Sequence, residues 1–133
     1  MKIMLFFLSL LIVASTGFAD NFVFDNQTSY PVQNQKSKIA IQWASSAKEV
    51  AEANEAFING NGLNAGTVQA ITRPGKSNIT IPKKSEYFRV LVWSNGQGDP
   101  DYLTNWVDVV PNKTYTIKSD DLVPSVLMTG MGC

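Results

Sequence analysis

The sequence predicts a mainly-β protein: a single antiparallel β-sandwich of about seven or eight strands, with one short amphipathic α-helix near residues 46–58. Short stretches in which apolar and polar residues alternate recur along most of the chain. Residues typical of turns, chiefly Gly, Pro, Asn and Asp, separate these stretches. One segment has helical periodicity instead, and we expect it to be inserted between the second and the third strand.

The alternation is clearest in "KIAIQWA" (38–44), which places Ile39, Ile41 and Trp43 on one face of a half-buried strand. The stretch "EYFRVLVWS" (86–94) is apolar on nearly both faces, which favours a central strand. In the last predicted strand Pro124 indicates an edge or a bulge, and we expect that strand to close the sandwich. The other predicted strands are "NFVFDN" (21–26), "GTVQAIT" (66–72), "SNITIP" (77–82), "NWVDVVP" (105–111), "KTYTIKS" (113–119) and "DLVPSVLM" (121–128).

The predicted helix has both a start and a stop signal. Ser46 and Glu49 have the spacing of a capping box, in which the hydroxyl accepts from the Glu49 amide and the carboxylate accepts from the Ser46 amide. Asn59-Gly60 is a typical helix end. The inward stripe is predicted from residues at helical spacing: Ala47, Val50, Asn54 and Phe57.

The first 19 residues have the composition of a cleavable signal peptide. Lys2 precedes an apolar run from Ile3 to Val13, and Gly17 and Ala19 suit the −3 and −1 positions of a cleavage site. The apolar run is shorter than the roughly 20 residues that a transmembrane helix needs. We therefore expect an exported protein, periplasmic or extracellular, whose mature chain is one domain over residues 20–133, with no integral membrane segment after signal cleavage.

The composition argues against several functional classes. The chain has no histidine and one cysteine, which leaves no Ser-His-Asp triad, no Cys-His pair and no cysteine-histidine zinc site. It has 11 basic and 11 acidic residues without a basic run, so the charge pattern of a nucleic-acid-binding protein is missing. We therefore predict a protein that is not an enzyme and does not bind nucleic acid. A small hydrolase based on paired carboxylates is the alternative within the enzyme class.

The stretch "SNGQGDPDYLTNW" (94–106) is the candidate binding loop. Exposed loops on a rigid β scaffold commonly carry recognition. Aromatic rings beside amides and carboxylates suit a sugar, although tryptophans at strand ends also serve as core residues. The predicted ligand-binding residues are Trp93, Asn95, Asp99, Asp101, Tyr102 and Trp106.

Two further features bear on cofactors and partners. Asp99 and Asp101, with Asp108 from the next strand, are oxygen ligands of the type that calcium prefers, although no EF-hand pattern is present. No other cofactor is predicted. Cys133, the last residue, is available for a disulfide-linked dimer or is an inert terminal thiol.

These observations predict a small exported binding or interaction module with a protein or glycan partner. One alternative is a carbohydrate-binding module, with or without calcium. The other is a structural or accessory subunit of a cell-envelope assembly, joined by strand addition or through Cys133.

Overall fold

A computed structural model of the protein describes residues 20–33, 35–60 and 62–129. The predicted signal peptide (1–19) and Cys133 lie outside these residues. The described strands are β1 (Asn21–Gln27), β2 (Lys38–Ala44), β3 (Val68–Ile71), β4 (Gly75–Thr80), β5 (Tyr87–Trp93), β6 (Tyr102–Leu103), β7 (Val107–Asp108), β8 (Thr114–Lys118) and β9 (Val123–Pro124). The α-helix is α1 (Ala47–Asn59), and short 3₁₀ turns lie at Ala65–Thr67, Ser119–Asp121 and Ser125–Thr129.

The strands form two sheets. The smaller sheet has the order β4-β1-β8, and the larger has the order β3-β2-β5-β6-β9, with β7 also paired to β5. The predicted mainly-β class with one short helix is therefore confirmed. The pairing of β1 with β8 is parallel, which differs from the predicted all-antiparallel arrangement, whereas the other pairings are antiparallel.

The two sheets share one hydrophobic core. Strand β1 contributes Phe22, whose ring centroid lies 5.7 Å from that of Trp43 on β2 and 5.0 Å from that of Phe88 on β5. Tyr115 on β8 lies 4.9 Å from Phe22 and 4.8 Å from Phe88, both in edge-on contact. Fully burying one such side chain stabilises the fold by about 1.5–3 kcal/mol. The alternation of apolar and polar residues gives each sheet one apolar face, and these apolar faces meet in the core.

Helix α1 begins and ends where the sequence predicts, although its capping box differs. Ser46 Oγ accepts from the Glu49 amide at 3.2 Å, and Gly60 adopts the left-handed conformation at φ 69°. The Glu49 carboxylate accepts from the amide and the hydroxyl of Ser45 rather than from the Ser46 amide. The carboxylate therefore satisfies a donor one residue earlier, where a second hydrogen bond from the Ser45 hydroxyl is also available.

The C-terminal third departs most from the predicted strands. The predicted strand 105–111 shortens to Val107–Asp108, and the predicted strand 121–128 shortens to Val123–Pro124 followed by a 3₁₀ turn from Ser125. The two-residue strand Tyr102–Leu103 lies inside the stretch predicted as a loop. Among the described residues, no helix is long and apolar enough to cross a membrane.

Candidate functional site

A groove of about 620 Å³ lies on the outer face of the larger sheet, at the end away from helix α1. Because Ile39 and Ile41 of β2 point into the core, Lys38 and Ala40 point outward. Ala70 of β3 pairs with Ala40, and these two small side chains make a shallow floor. The groove is lined by Pro31, Ser37, Lys38, Ile39, Ala40, Val68, Ala70, Ile71, Thr72, Trp93, Gly96, Gln97 and Gly98.

Trp93 stands beside this floor in a fixed orientation. It is the last residue of β5 and pairs with Lys38, so the two side chains lie next to each other on the outer face. Its indole Nε1–H donates to the Gly98 carbonyl oxygen at 2.9 Å. The side chain is half-buried. One edge of the ring is therefore held by the loop, and part of the ring borders the groove.

The loop after Trp93 is held by several local contacts. The Asp101 carboxylate accepts from the Ser94 amide at 2.8 Å and also from the Ser94 hydroxyl. The Gly96 amide donates to the Trp93 carbonyl oxygen at 3.2 Å, and the Asp101 amide donates to the Val92 carbonyl oxygen at 2.9 Å. The candidate binding loop is thus a fastened turn at the end of β5, and its Gly96, Gln97 and Gly98 form one wall of the groove.

The other predicted ligand-binding residues lie apart from the groove lining. Asn95 and Asp99 are exposed in the loop. Tyr102 lies in β6, half-buried against the core. Trp106 is half-buried, and its Nε1–H donates to Asn54 Oδ1 of helix α1 at 3.1 Å. Of the predicted set, the structure therefore places Trp93 in the groove, together with loop residues that the prediction did not name.

The three carboxylates considered for calcium do not converge. Across the described part of the chain, no group of three or more Asp, Glu, His or Cys side chains has a geometry that could hold a metal ion. Asp101 uses both carboxylate oxygens on Ser94, while Asp99 and Asp108 are exposed. Asp99, Asp101 and Asp108 therefore do not form a common calcium site.

Sequence reasoning missed a buried arginine on the same outer face. The side chain of Arg89 in β5 is 0% exposed. Its guanidinium carbon lies 4.4 Å from the ring centroid of Trp106 and 5.0 Å from that of Phe57 on helix α1. Its Nε donates to Gln42 Oε1 at 2.8 Å and its Nη1 to Asn54 Oδ1 at 3.0 Å. These contacts connect helix α1 to the sheet.

This arginine lacks a negatively charged partner among the described residues. Its Nη2 is buried and makes no hydrogen bond. Burial lowers the pKa of Arg89 to about 10, because desolvation disfavours the charged form. The sequence does contain a sign of this buried arginine: Arg89 is a charged residue in the middle of a strand that is otherwise apolar on both faces.

A second cavity, of about 320 Å³, lies between helix α1 and strand β2 and is lined by Glu49 and Glu52 among other residues. The hydrolase alternative requires two carboxyl groups across a cleft, one with a raised pKa. Hydrogen bonds from Ser45 to Glu49 instead lower the pKa of that carboxyl group. Glu49 is therefore held in its ionised form by the helix cap.

Comparison with known proteins gives no family assignment: no family model matches the chain, and no curated protein matches it significantly.

Proposed function

We propose that this protein is a binding module that holds a saccharide in the groove beside Trp93, without catalysing a reaction on it. The observation that carries the proposal is the groove of about 620 Å³ that Trp93 borders. A flat indole face suits the apolar face of a pyranose ring, and rigid aromatic side chains bind with little loss of conformational entropy.

The preorganisation of the groove supports this proposal. The ring of Trp93 is oriented by its hydrogen bond to Gly98, and the loop is fastened by Asp101. A site that is already ordered loses less conformational entropy when its ligand binds. The floor of Ala40 and Ala70 leaves room for a ring, and the amide of Gln97 and the hydroxyl of Thr72 can reach sugar hydroxyls at the rim.

We also propose that the module works outside the cytoplasm. The composition of residues 1–19 supports export, and the described residues do not include them.

The test is a titration of the mature chain with a panel of neutral and acidic oligosaccharides, followed through the indole N–H resonance of Trp93. We expect saturable shifts of that resonance with at least one oligosaccharide. Because Trp93→Ala lacks this resonance, the variants and the parent are also compared by isothermal titration calorimetry. Trp93→Ala should abolish the binding, as should Ala70→Tyr, which fills the groove floor without removing the indole.

The matched control is Lys76→Tyr, which places the same side chain on an exposed position of β4 in the smaller sheet. This variant should bind like the parent. A panel that leaves the Trp93 resonance unchanged, or binding that persists in Trp93→Ala and Ala70→Tyr, would overturn the proposed function.

A further inference from the structure

The described side chains that line the groove include one positive charge and no negative charge. Among the described residues that line it, Lys38 has the only charged side chain, and none is acidic. The Lys38 side chain is exposed, and no salt bridge joins it to another described residue. The neighbouring Asp101 does not line the groove, and its carboxylate accepts from the amide and the hydroxyl of Ser94.

The register places this charge beside the aromatic ring. Lys38 and Trp93 are directly opposite each other in the β2–β5 pairing. Directly opposite residues of an antiparallel pair have Cβ atoms about 4.5–5.5 Å apart, on the same face of the sheet. One sugar ring can therefore lie against the indole while a group projecting from that ring reaches the ammonium of Lys38.

From this juxtaposition we infer that the ligand is an acidic saccharide, in which a uronate ring stacks on Trp93 and its carboxylate pairs with Lys38. The inference rests on the proposed function and adds the ligand's charge class. A neutral sugar would leave the ammonium without a partner in the complex. A carboxylate provides an opposite charge for it.

The ends of the groove are consistent with a chain of such sugars. The floor continues along β3 through Val68 and Ala70, and it is bounded at the loop by the backbone of Gly96–Gly98. The lining residues Gln97, Thr72 and Ser37 offer uncharged hydrogen-bonding groups. None of these groups repels a carboxylate, which distinguishes the groove from the cavity beside Glu49 and Glu52.

The experiment compares uronate oligosaccharides with their methyl esters, which have the same rings without the charge. The mature chain is titrated with oligogalacturonate, oligoguluronate and oligomannuronate, each in both forms, at low and at high salt. At low salt we expect at least one acid to bind about two- to fivefold more tightly than its ester, a ratio that corresponds to one exposed ion pair. High salt should reduce this ratio.

Lys38→Met keeps an unbranched side chain one atom shorter and removes the charge, so it should make acid and ester bind equally. Lys36→Met is the matched control, because Lys36 lies two residues away and does not line the groove. It should keep the preference of the parent.

The outcomes separate the two proposals. An ester that binds as tightly as its acid, or a preference that survives in Lys38→Met, overturns the inference about charge and leaves the saccharide site standing. If neither form, nor any neutral oligosaccharide, shifts the Trp93 indole resonance, the saccharide site itself is wrong. A peptide that binds the same groove more tightly than any of these oligosaccharides would also overturn the proposed saccharide site.

Discussion

At the scale of single residues, Arg89 is the most unusual feature of the molecule. Moving a cation from water into the protein interior costs roughly several kcal/mol, even after its surroundings relax. The contacts of Arg89 with Trp106 and Phe57 offset part of this cost, since cation–π contacts contribute about 2 kcal/mol when desolvated. Its hydrogen bonds to Gln42 and Asn54 offset more of it. The apolar stem and the two rings thus make the arginine a packing residue of the helix–sheet contact.

Two substitutions of Arg89 should change the free energy of unfolding by different amounts. Arg89→Ala removes the stem between the rings and leaves the Gln42 acceptor without its donor, so the free energy of unfolding should fall by about 2–4 kcal/mol. Arg89→Met also leaves the Gln42 acceptor without its donor, but it fills the same space without a buried charge, so its loss should be about 1–2 kcal/mol smaller than that of Arg89→Ala. Urea unfolding measures both values. A methionine variant as unstable as the alanine variant would mean that the charge itself, rather than the packing, holds helix α1.

At the scale of elements, the turn from Ser94 to Asp101 determines the shape of the groove. Gly96 has φ +73° and packs so tightly that an added Cβ would lie 1.8 Å from the Lys36 carbonyl oxygen. Gly98 has a similar φ of +71°, but nothing lies within 4 Å of its added Cβ. The positive φ favours glycine at both positions. At Gly96 a side chain would also clash with the backbone of Lys36.

Substituting each of these glycines with alanine separates the conformational effect from the steric clash. Gly98→Ala should cost about 1 kcal/mol, the ordinary penalty of the left-handed conformation. Gly96→Ala should cost at least about 2 kcal/mol more, since the backbone of Lys36 has to move, and it should shift the NMR resonances of the groove residues. Thermal and urea unfolding of both variants give the comparison. Equal losses would mean that the loop yields easily and does not depend on its contact with Lys36.

At the scale of the whole molecule, Tyr115 connects the two sheets. It lies on β8 of the smaller sheet, and its hydroxyl donates to the carbonyl oxygen of Asp108 on β7 of the larger sheet. The same hydroxyl accepts from the Val110 amide at 2.8 Å. Burial raises the pKa of Tyr115 above its ordinary value of 10.0, because ionisation inside the fold is disfavoured.

The raised pKa fixes the sign of a pH dependence. The folded state holds the proton more tightly than the unfolded state, so the stabilisation by Tyr115 is complete below pH 10.0 and is lost as the pH rises through the folded pKa. Tyr115→Phe should therefore lower the free energy of unfolding by about 1–3 kcal/mol near neutral pH through the lost hydrogen bonds. The gap between parent and variant should shrink in alkaline solution. Taking this difference cancels the titration of Arg89, whose lowered pKa has the opposite effect on stability in the same range. A gap that stays constant would contradict the assigned role of the hydroxyl.

The sequence was most informative where structure depends on neighbouring residues. The strands at β2 and β5 and the helix caps at Ser46 and Gly60 follow from alternation and capping chemistry, which are local. The stripe that predicted the inward face of α1 includes Asn54 and Phe57, and both contact the sheet through Arg89. Prediction was poorest for the stretches 105–111 and 121–128, where strands of two residues depend on their partners rather than on their own pattern. Between them, β8 lies where the sequence predicts it.

The sequence by itself determined the mainly-β class and the helix near residues 46–58, because the periodicity of apolar residues can be read without knowing which segments meet. The tertiary structure decided the parallel pairing of β1 with β8, the groove between β2, β3 and Trp93, and the burial of Arg89. Each of these brings together residues far apart in the chain, and the alternation pattern permits several such pairings. A single strand can bury its apolar face against more than one partner. The observed pairing is the one in which all strands bury their apolar faces at the same time.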